Sequence, residues 1–213
     1  MGEPRQEFER ELEIIEGKVI QLFAMVGEDL NEATRALLAG DGGVFTILLE
    51  RDQEIDALYL EVEELVQREI LLQAPVASDL RFLLSVLRIT PELERSHDLI
   101  VQIVATAANA PARALSPAGQ AMLTRMGQLA AEMWGQTSDC WYQRDRSTAA
   151  RLSIEDQEMD DLHARLHAEL AAGGLPVPAI MDLTLVTRFY ERLGAHAVNV
   201  SRRVIYLAGP KRD

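Results

Sequence analysis

Residues 51–58 read Arg51-Asp52-Gln53-Glu54-Ile55-Asp56-Ala57-Leu58, and a second copy follows 104 residues later as Glu155-Asp156-Gln157-Glu158-Met159-Asp160-Asp161-Leu162. In both copies two aspartates stand four residues apart, Asp52 with Asp56 and Asp156 with Asp160. On an α-helix this spacing places both carboxylates on the same face. The duplication predicts a chain made of two similar halves, each with its own acidic helix face.

A second acidic element follows each copy, and the two elements lie 97 residues apart. The first reads Leu93-Glu94-Arg95-Ser96-His97-Asp98, and the second reads Tyr190-Glu191-Arg192-Leu193-Gly194-Ala195. Ala195 stands where Asp98 stands in the first element, so the second half of the chain has lost one carboxylate.

Helical periodicity runs through the chain. From Phe8 to Leu37 apolar residues recur every three or four positions, which predicts one long amphipathic helix that ends at Gly40. Turn signals near Pro75, Pro117, Asp145 and Pro176 divide the remainder into five more helices, with no convincing strand. The sequence predicts an all-α fold of six main helices, in two tandem three-helix bundles related by a pseudo-twofold internal repeat. Two prolines within residues 109–117 favour a boundary there, which gives repeats of residues 1–110 and 111–213.

Thr90-Pro91 lies inside the third predicted helix. Proline has no backbone N–H and its ring clashes with the preceding turn. The dipeptide therefore predicts a kinked helix, or a split helix with Thr90 as a new cap.

The acidic elements of the first half lie at equal distances from the turn at Pro75. Residue 54 is 21 positions before it and residue 96 is 21 positions after it, so an antiparallel hairpin brings the two elements level. Four converging carboxylates repel one another and raise each other's pKa values unless positive charge compensates. Iron, zinc, manganese, magnesium or calcium is one source of that charge, and ion pairs with nearby arginines are the other. The candidate metal ligands are Asp52, Asp56, Glu94 and Asp98, and the candidate arginines are Arg51, Arg81 and Arg95.

The corresponding candidates in the second half are Asp156, Asp160 and Glu191, which are also level with one another. With one carboxylate fewer, this half is expected to hold a cation weakly or not at all. His163 and His196 are the nearby side chains in the sequence that could supply a missing ligand.

Composition excludes several classes of function. Acidic residues outnumber basic ones by 34 to 21, giving a net charge of −13, so the chain is not expected to bind nucleic acid by counterion release. A single cysteine, Cys140, rules out an internal disulfide and predicts a buried thiol in a reducing compartment. No apolar run is long enough for a membrane helix, so a cytoplasmic protein without membrane insertion is expected.

These motifs together resemble the PhoU family of phosphate-signalling regulators. The pairs Asp52 to Asp56, Glu94 to Asp98 and Asp156 to Asp160 match the family's Glu/Asp-x-x-x-Asp motif. Residues 73–81, Gln-Ala-Pro-Val-Ala-Ser-Asp-Leu-Arg, resemble its Gln-Pro-Val-Ala-x-Asp-Leu-Arg turn. Residues 191–199 resemble its Glu-Arg-x-x-Asp-His-Ala-x-Asn element, with Ala195 as the departure, and residues 202–206 are similar to actinobacterial members.

The resemblance implies a cytoplasmic, non-enzymatic regulator of phosphate uptake and of the phosphate-starvation response. Its partners would be the ATPase subunit of the phosphate ABC transporter and a sensor histidine kinase, and it would form a homodimer. Iron or zinc at the acidic motifs would be the cofactor.

Two alternatives remain open at the sequence level. One is a carboxylate-bridged di-metal enzyme, because Glu94-x-x-His97 is the motif of such helical bundles and Asp160-x-x-His163 approximates it. The other is a structural helical module whose acidic faces are simply solvated.

Overall fold

The computed structural model describes residues 3–208, and within that range it contains six long α-helices and no strand. The helices are α1 Glu3–Ala39, α2 Val44–Gln73, α3 Ala77–Ala105, α4 Pro117–Gln143, α5 Arg146–Ala171 and α6 Val177–Leu207. Two short 3₁₀ turns, Ala107–Asn109 and Pro111–Ala114, connect α3 to α4. The predicted all-α class with two three-helix repeats is confirmed.

Local sequence explains where the helices begin and end. The Ser116 hydroxyl accepts a hydrogen bond from the Gly119 N–H at 3.0 Å, and Pro117 occupies the first helical position of α4. Asp145 caps α5 in the same way, because its carboxylate accepts hydrogen bonds from the backbone N–H groups of Ser147 and Thr148. Gly40 follows the end of α1 with a φ of 71°, a conformation that glycine adopts without strain.

The predicted split of the third helix at Thr90-Pro91 is wrong. The helix α3 runs without interruption through Pro91, and Thr90 is a buried helical residue, not a cap. The Thr90 hydroxyl donates a hydrogen bond to the Val86 carbonyl at 3.0 Å. Because α3 packs against α1, α2 and α6, tertiary packing holds the helix together despite the missing N–H.

The six helices form one packed body. Helices α1, α3, α4 and α6 make contacts across the two repeats, α1 with α4 and α3 with α6, while α2 and α5 pack on the outside of their own repeats. Apolar residues from both repeats form one continuous core. The division of the chain at residues 110 and 111 stays a prediction.

The crossing of α1 over α4 is close at Gly127. A Cβ atom at this glycine would lie 2.3 Å from the Thr34 Cγ2 atom, so only glycine fits without rearrangement. Thr34 donates a hydrogen bond to the Leu30 carbonyl at 2.8 Å and lies 2.9 Å from the hydroxyl of buried Tyr190. This contact fixes how the second repeat sits on the first.

Candidate functional site

The structure brings together the four carboxylates predicted in the first repeat. Asp52 and Asp56 lie on α2, and Glu94 and Asp98 lie on α3. Burial raises the pKa of Glu94, and the charges of Asp98, Asp56 and Asp52 raise it further. Burial also raises the pKa of Asp98, followed by the charges of Asp52 and Asp56. We call these four residues the first acidic face.

The arginines expected to neutralise this face do so only in part. Arg51 points away from it and pairs instead with Asp29 at 2.5 Å and with Glu28 at 3.1 Å, because its side chain reaches back to α1. Arg95 lowers the pKa values of Glu94 and Asp98, but both stay raised. The Nε atom of Arg81 is buried and has no hydrogen-bond partner among the described side chains of residues 5–208. Excess negative charge therefore remains on the first acidic face.

The donor set fits a cation that prefers oxygen, because every candidate ligand on this face is a carboxylate. The side chains are not arranged as a preformed metal site. Within the described range, no three His, Cys, Asp or Glu side chains are grouped so that they could hold a metal ion. Metal binding at the first acidic face stays a prediction.

A buried ionic network lies directly behind this face. His97 is fully buried, and its Nδ1 atom lies 2.7 Å from an Asp52 oxygen. The other ring nitrogen, Nε2, lies 3.0 Å from an oxygen of Asp29, which is 1% exposed. Arg51 donates to the second Asp29 oxygen at 2.5 Å. The network joins α1, α2 and α3 in the interior of the first repeat.

The two carboxylates decide the protonation state of His97. An ionised carboxylate only accepts hydrogen bonds, so both ring nitrogens must donate, which requires the imidazolium form. Burial acts to lower the pKa of His97, but the hydrogen bonds to Asp29 and Asp52 outweigh it and raise the pKa. An imidazolium has no lone pair for a metal, so this geometry does not support the Glu94-x-x-His97 motif of a di-metal enzyme.

Sequence reasoning missed Asp29. A signal was present, because Asp29 stands three residues after buried Val26 and one before buried Leu30, on the apolar side of α1. An acid at such a position needs a partner in the core. The sequence did not show that the partner is His97, 68 residues away.

The second repeat places Asp156 and Asp160 on α5 and Glu191 on α6, and we call these three residues the second acidic face. Burial raises the pKa of Asp156, the charges of Asp160 and Glu191 add to the effect, and Arg202 opposes it. Glu191 also pairs with Arg188 at 2.5 Å. The predicted residues come together here too, but one of them already has an ion-pair partner.

Behind the second acidic face the ionic network is missing. The positions equivalent to Asp29 and His97 hold Met133 and Gly194. A Cβ atom at Gly194 would lie 3.0 Å from an Asp156 oxygen and 3.6 Å from the Met133 Cε atom. Apolar packing thus fills the space that charged groups occupy in the first repeat.

The two histidines proposed as substitute ligands are not paired with the second acidic face, and the buried Nε2 atom of His163 has no hydrogen-bond partner among the described residues. The His163 ring lies beside the His167 ring on the same helix, with 4.1 Å between the ring centroids. His196 lies 2.9 Å from the Ser96 hydroxyl across the boundary between the repeats. Among the described residues, neither histidine makes a hydrogen bond or ion pair with the second acidic face.

Comparison with known proteins agrees with this duplicated frame. The profile of the PhoU domain matches residues 19–107 and again residues 123–204, one match in each repeat. The chain belongs to the PhoU family. Proteins named phosphate-specific transport system accessory protein PhoU homolog 2, from Mycobacterium bovis and Mycobacterium tuberculosis, are 31% identical over 207 residues, covering 96% of this chain and 97% of theirs. A Synechocystis PhoU homolog is 30% identical over 213 residues, covering 98% of this chain and 94% of its own.

Solved PhoU structures share the fold. The crystal structure of PhoU from Pseudomonas aeruginosa superposes with a TM-score of 0.87 at 25% identity, over 94% of this chain and 98% of that one. The Streptococcus pneumoniae phosphate transport system regulatory protein PhoU gives a TM-score of 0.85 over 95% of this chain and 97% of its own; at 23% identity this likeness shows the fold alone. No helix within residues 3–208 of this PhoU chain is long and apolar enough to span a membrane.

Proposed function

We propose that this PhoU protein is a cytoplasmic, non-enzymatic regulator of phosphate uptake and of the phosphate-starvation response. It acts as an adaptor between the ATPase subunit of a phosphate ABC transporter and a sensor histidine kinase. The observation that carries the proposal is the full-length relationship to proteins named as accessory to the phosphate-specific transport system. An adaptor works by binding one state of its partner better than another, so no catalytic group is required.

The first acidic face is the proposed cation site of this regulator. Asp56, Glu94 and Asp98, with Asp52 at the edge of the buried network, would hold iron, zinc or another divalent cation. The support is electrostatic, because Glu94 and Asp98 have raised pKa values and a bound cation would relieve the repulsion. The second acidic face, with Asp156, Asp160 and Glu191, is the weaker candidate, since Glu191 is paired with Arg188.

The geometry of the two histidine motifs does not favour the alternative of a di-metal enzyme. Both nitrogens of His97 face carboxylates, and His163 packs beside His167, so the two histidine motifs do not supply a pair of metal ligands. An assay of oxygen consumption with ferrous iron is expected to show no turnover.

The adaptor role is tested with purified components from the same organism. The chain is titrated into the transporter's ATPase subunit and, separately, into the cytoplasmic part of the kinase, with binding followed by biolayer interferometry. An ATPase subunit from an unrelated transporter serves as the control. We expect saturable binding to both partners and a change in kinase autophosphorylation. If neither partner binds better than the control and kinase activity is unchanged, the adaptor role is wrong.

The cytoplasmic location and the homodimer are part of the same proposal. Cell fractionation of the tagged protein is expected to recover it in the soluble cytoplasmic fraction, and sedimentation equilibrium is expected to give twice the chain mass of 23.7 kDa. Recovery as a monomer would rule out the homodimer but would not contradict the adaptor role.

A further inference from the structure

A basic groove lies between α3 and α6, at the boundary of the two repeats, and Arg202 in it is close enough to the second acidic face to act on the pKa of Asp156. It has a volume of about 400 Å³, and its lining residues are Arg88, Glu92, Asn199, Arg202 and Arg203. The two helices run antiparallel here, so residues from the first half of α3 meet residues from the last third of α6. Three arginine residues therefore line one concave space.

The three arginines of this groove make no ion pair among the described side chains. Among the side chains that the structure describes, those of residues 5–208, no carboxylate oxygen lies within 4.0 Å of a guanidinium nitrogen of Arg88, Arg202 or Arg203. Acids outnumber bases by 34 to 21 in this chain, so carboxylate partners are abundant. Arginines elsewhere find them, as Arg125 does with Glu158. Three arginines without an ion pair around one groove thus leave positive charge available to a partner from outside the chain.

Two of the arginines are held in place by neutral groups. Arg202 donates to the Asn199 side-chain oxygen at 3.4 Å, and the Arg203 guanidinium lies over the Tyr206 ring at 5.6 Å from its centroid. Such contacts orient a guanidinium without cancelling its charge. The donors of Arg202 and Arg203 are therefore partly ordered before any ligand arrives.

The internal repeat provides a built-in comparison. The positions related by the 97-residue offset to the five groove residues are Leu185, Phe189, Gln102, Ala105 and Thr106. None of these residues carries a charge. The helical frame is the same at both places, so packing of α3 on α6 does not require the arginines.

We propose that this groove binds a compact oxyanion with two or more negative charges, for which inorganic phosphate is the simplest probe. Guanidinium groups donate two parallel hydrogen bonds to phosphate oxygens, and three such groups match an anion of this charge. The Glu92 carboxylate lines the same groove and repels an anion, so it is expected to weaken the binding. The inference does not depend on the adaptor role or on the metal site.

The test is isothermal titration calorimetry with inorganic phosphate, pyrophosphate and sulfate at constant ionic strength set with sodium chloride. The variants are Arg88→Gln and Arg202→Gln, and the matched control is Arg165→Gln, which removes the same charge from an exposed position on α5. We expect saturable phosphate binding that weakens roughly tenfold in each groove variant, as loss of a charged hydrogen bond predicts, with little change in the control. Circular dichroism checks that every variant keeps its helices.

The variant Glu92→Gln provides a second test, in which phosphate affinity is expected to change in the opposite direction. Removing the negative charge from the groove is expected to tighten phosphate binding several-fold, which a merely destabilised protein would not do. Pyrophosphate binding much more tightly than phosphate would identify a polyphosphate group as the ligand, and equal binding would identify free phosphate. Absence of saturable binding at about 10 mM, or equal losses in Arg165→Gln and the groove variants, would overturn the proposal.

Discussion

In the first repeat His97 lies between Asp29 and Asp52. In the second repeat the equivalent positions of His97, Asp29 and Asp52 hold, in that order, Gly194, Met133 and Asp156. The two arrangements occur at equivalent helix crossings of the two repeats. The second repeat shows that apolar packing is sufficient for the fold at this place. Packing alone therefore does not explain the charged network of the first repeat.

Energetics support this comparison. Taking charges out of water costs several kcal/mol per ion, and a buried ion pair is often no more stable than apolar side chains of similar volume. The first repeat keeps the charged version, with Asp29 only 1% exposed. One consequence is visible in the geometry, because His97 neutralises Asp52 from the inside. Asp56, Glu94 and Asp98 remain on the outer side as groups available to a cation.

The largest expected effect comes from removing His97. In His97→Gly the buried carboxylate of Asp29 keeps Arg51 but loses its other partner. We expect the free energy of unfolding to fall by about 3 to 5 kcal/mol, measured by urea denaturation.

The double variant Asp29→Met with His97→Gly copies the second repeat and serves as the control. Because the buried charge is removed together with its partner, it is expected to recover about 2 kcal/mol relative to His97→Gly alone. A double variant no more stable than the single one would show that the two repeats do not differ in the way described.

The crossing of α1 and α4 gives the next largest effect. Thr34 packs tightly on Gly127, whereas the repeat-related Ser138 and Phe23 line an open groove of about 390 Å³. Gly127→Ala is expected to cost about 1 to 3 kcal/mol through overpacking. Gly135→Ala, on the same helix with nothing within 4 Å of its added methyl group, is expected to stabilise by about 0.5 to 1 kcal/mol. Equal effects in thermal denaturation would contradict the tight crossing.

The smallest expected effect is a difference in pKa between His97 of the first repeat and two histidines of the second, His167 and His196. The pKa of His97 is raised by its carboxylate partners, which outweigh burial, while burial lowers the pKa values of His167 and His196. In NMR titrations with a chelator present, His97 is expected to titrate above about pH 6.5 and the other two below it. A His97 midpoint below that of His167 would contradict the imidazolium network.

The raised pKa of His97 also determines how the stability of the protein changes with pH. Because the pKa of His97 is higher in the folded than in the unfolded chain, its stabilising contribution is complete below about pH 6.5. The contribution is lost as the pH rises through the folded-state pKa. Each unit of pKa difference corresponds to about 1.4 kcal/mol, so the wild type is expected to lose part of its advantage over His97→Gln on the alkaline side.

Periodicity and turn spacing were enough to predict the six helices. The equal distances of the two acidic elements from Pro75 were enough to predict that Glu94 lies level with Asp52 and Asp56. Local chemistry also predicted the Ser116 cap. Two features depended on tertiary contacts that no local pattern encodes. Pro91 stays helical because three other helices pack on α3, and Arg51 turns from the acidic face toward Asp29.

The two repeats have diverged, and we assign the proposed cation site to the four carboxylates of the first. Calorimetric titration of the metal-free protein with Zn²⁺, and anaerobically with Fe²⁺, tests it in the wild type and in the paired variants Asp98→Ala and Asp160→Ala. Both variants remove one aspartate from a Glu/Asp-x-x-x-Asp pair, one in each repeat. Asp98→Ala is expected to abolish most of the binding, and Asp160→Ala is expected to change it little. Equal losses, or a greater loss from Asp160→Ala, would contradict this assignment.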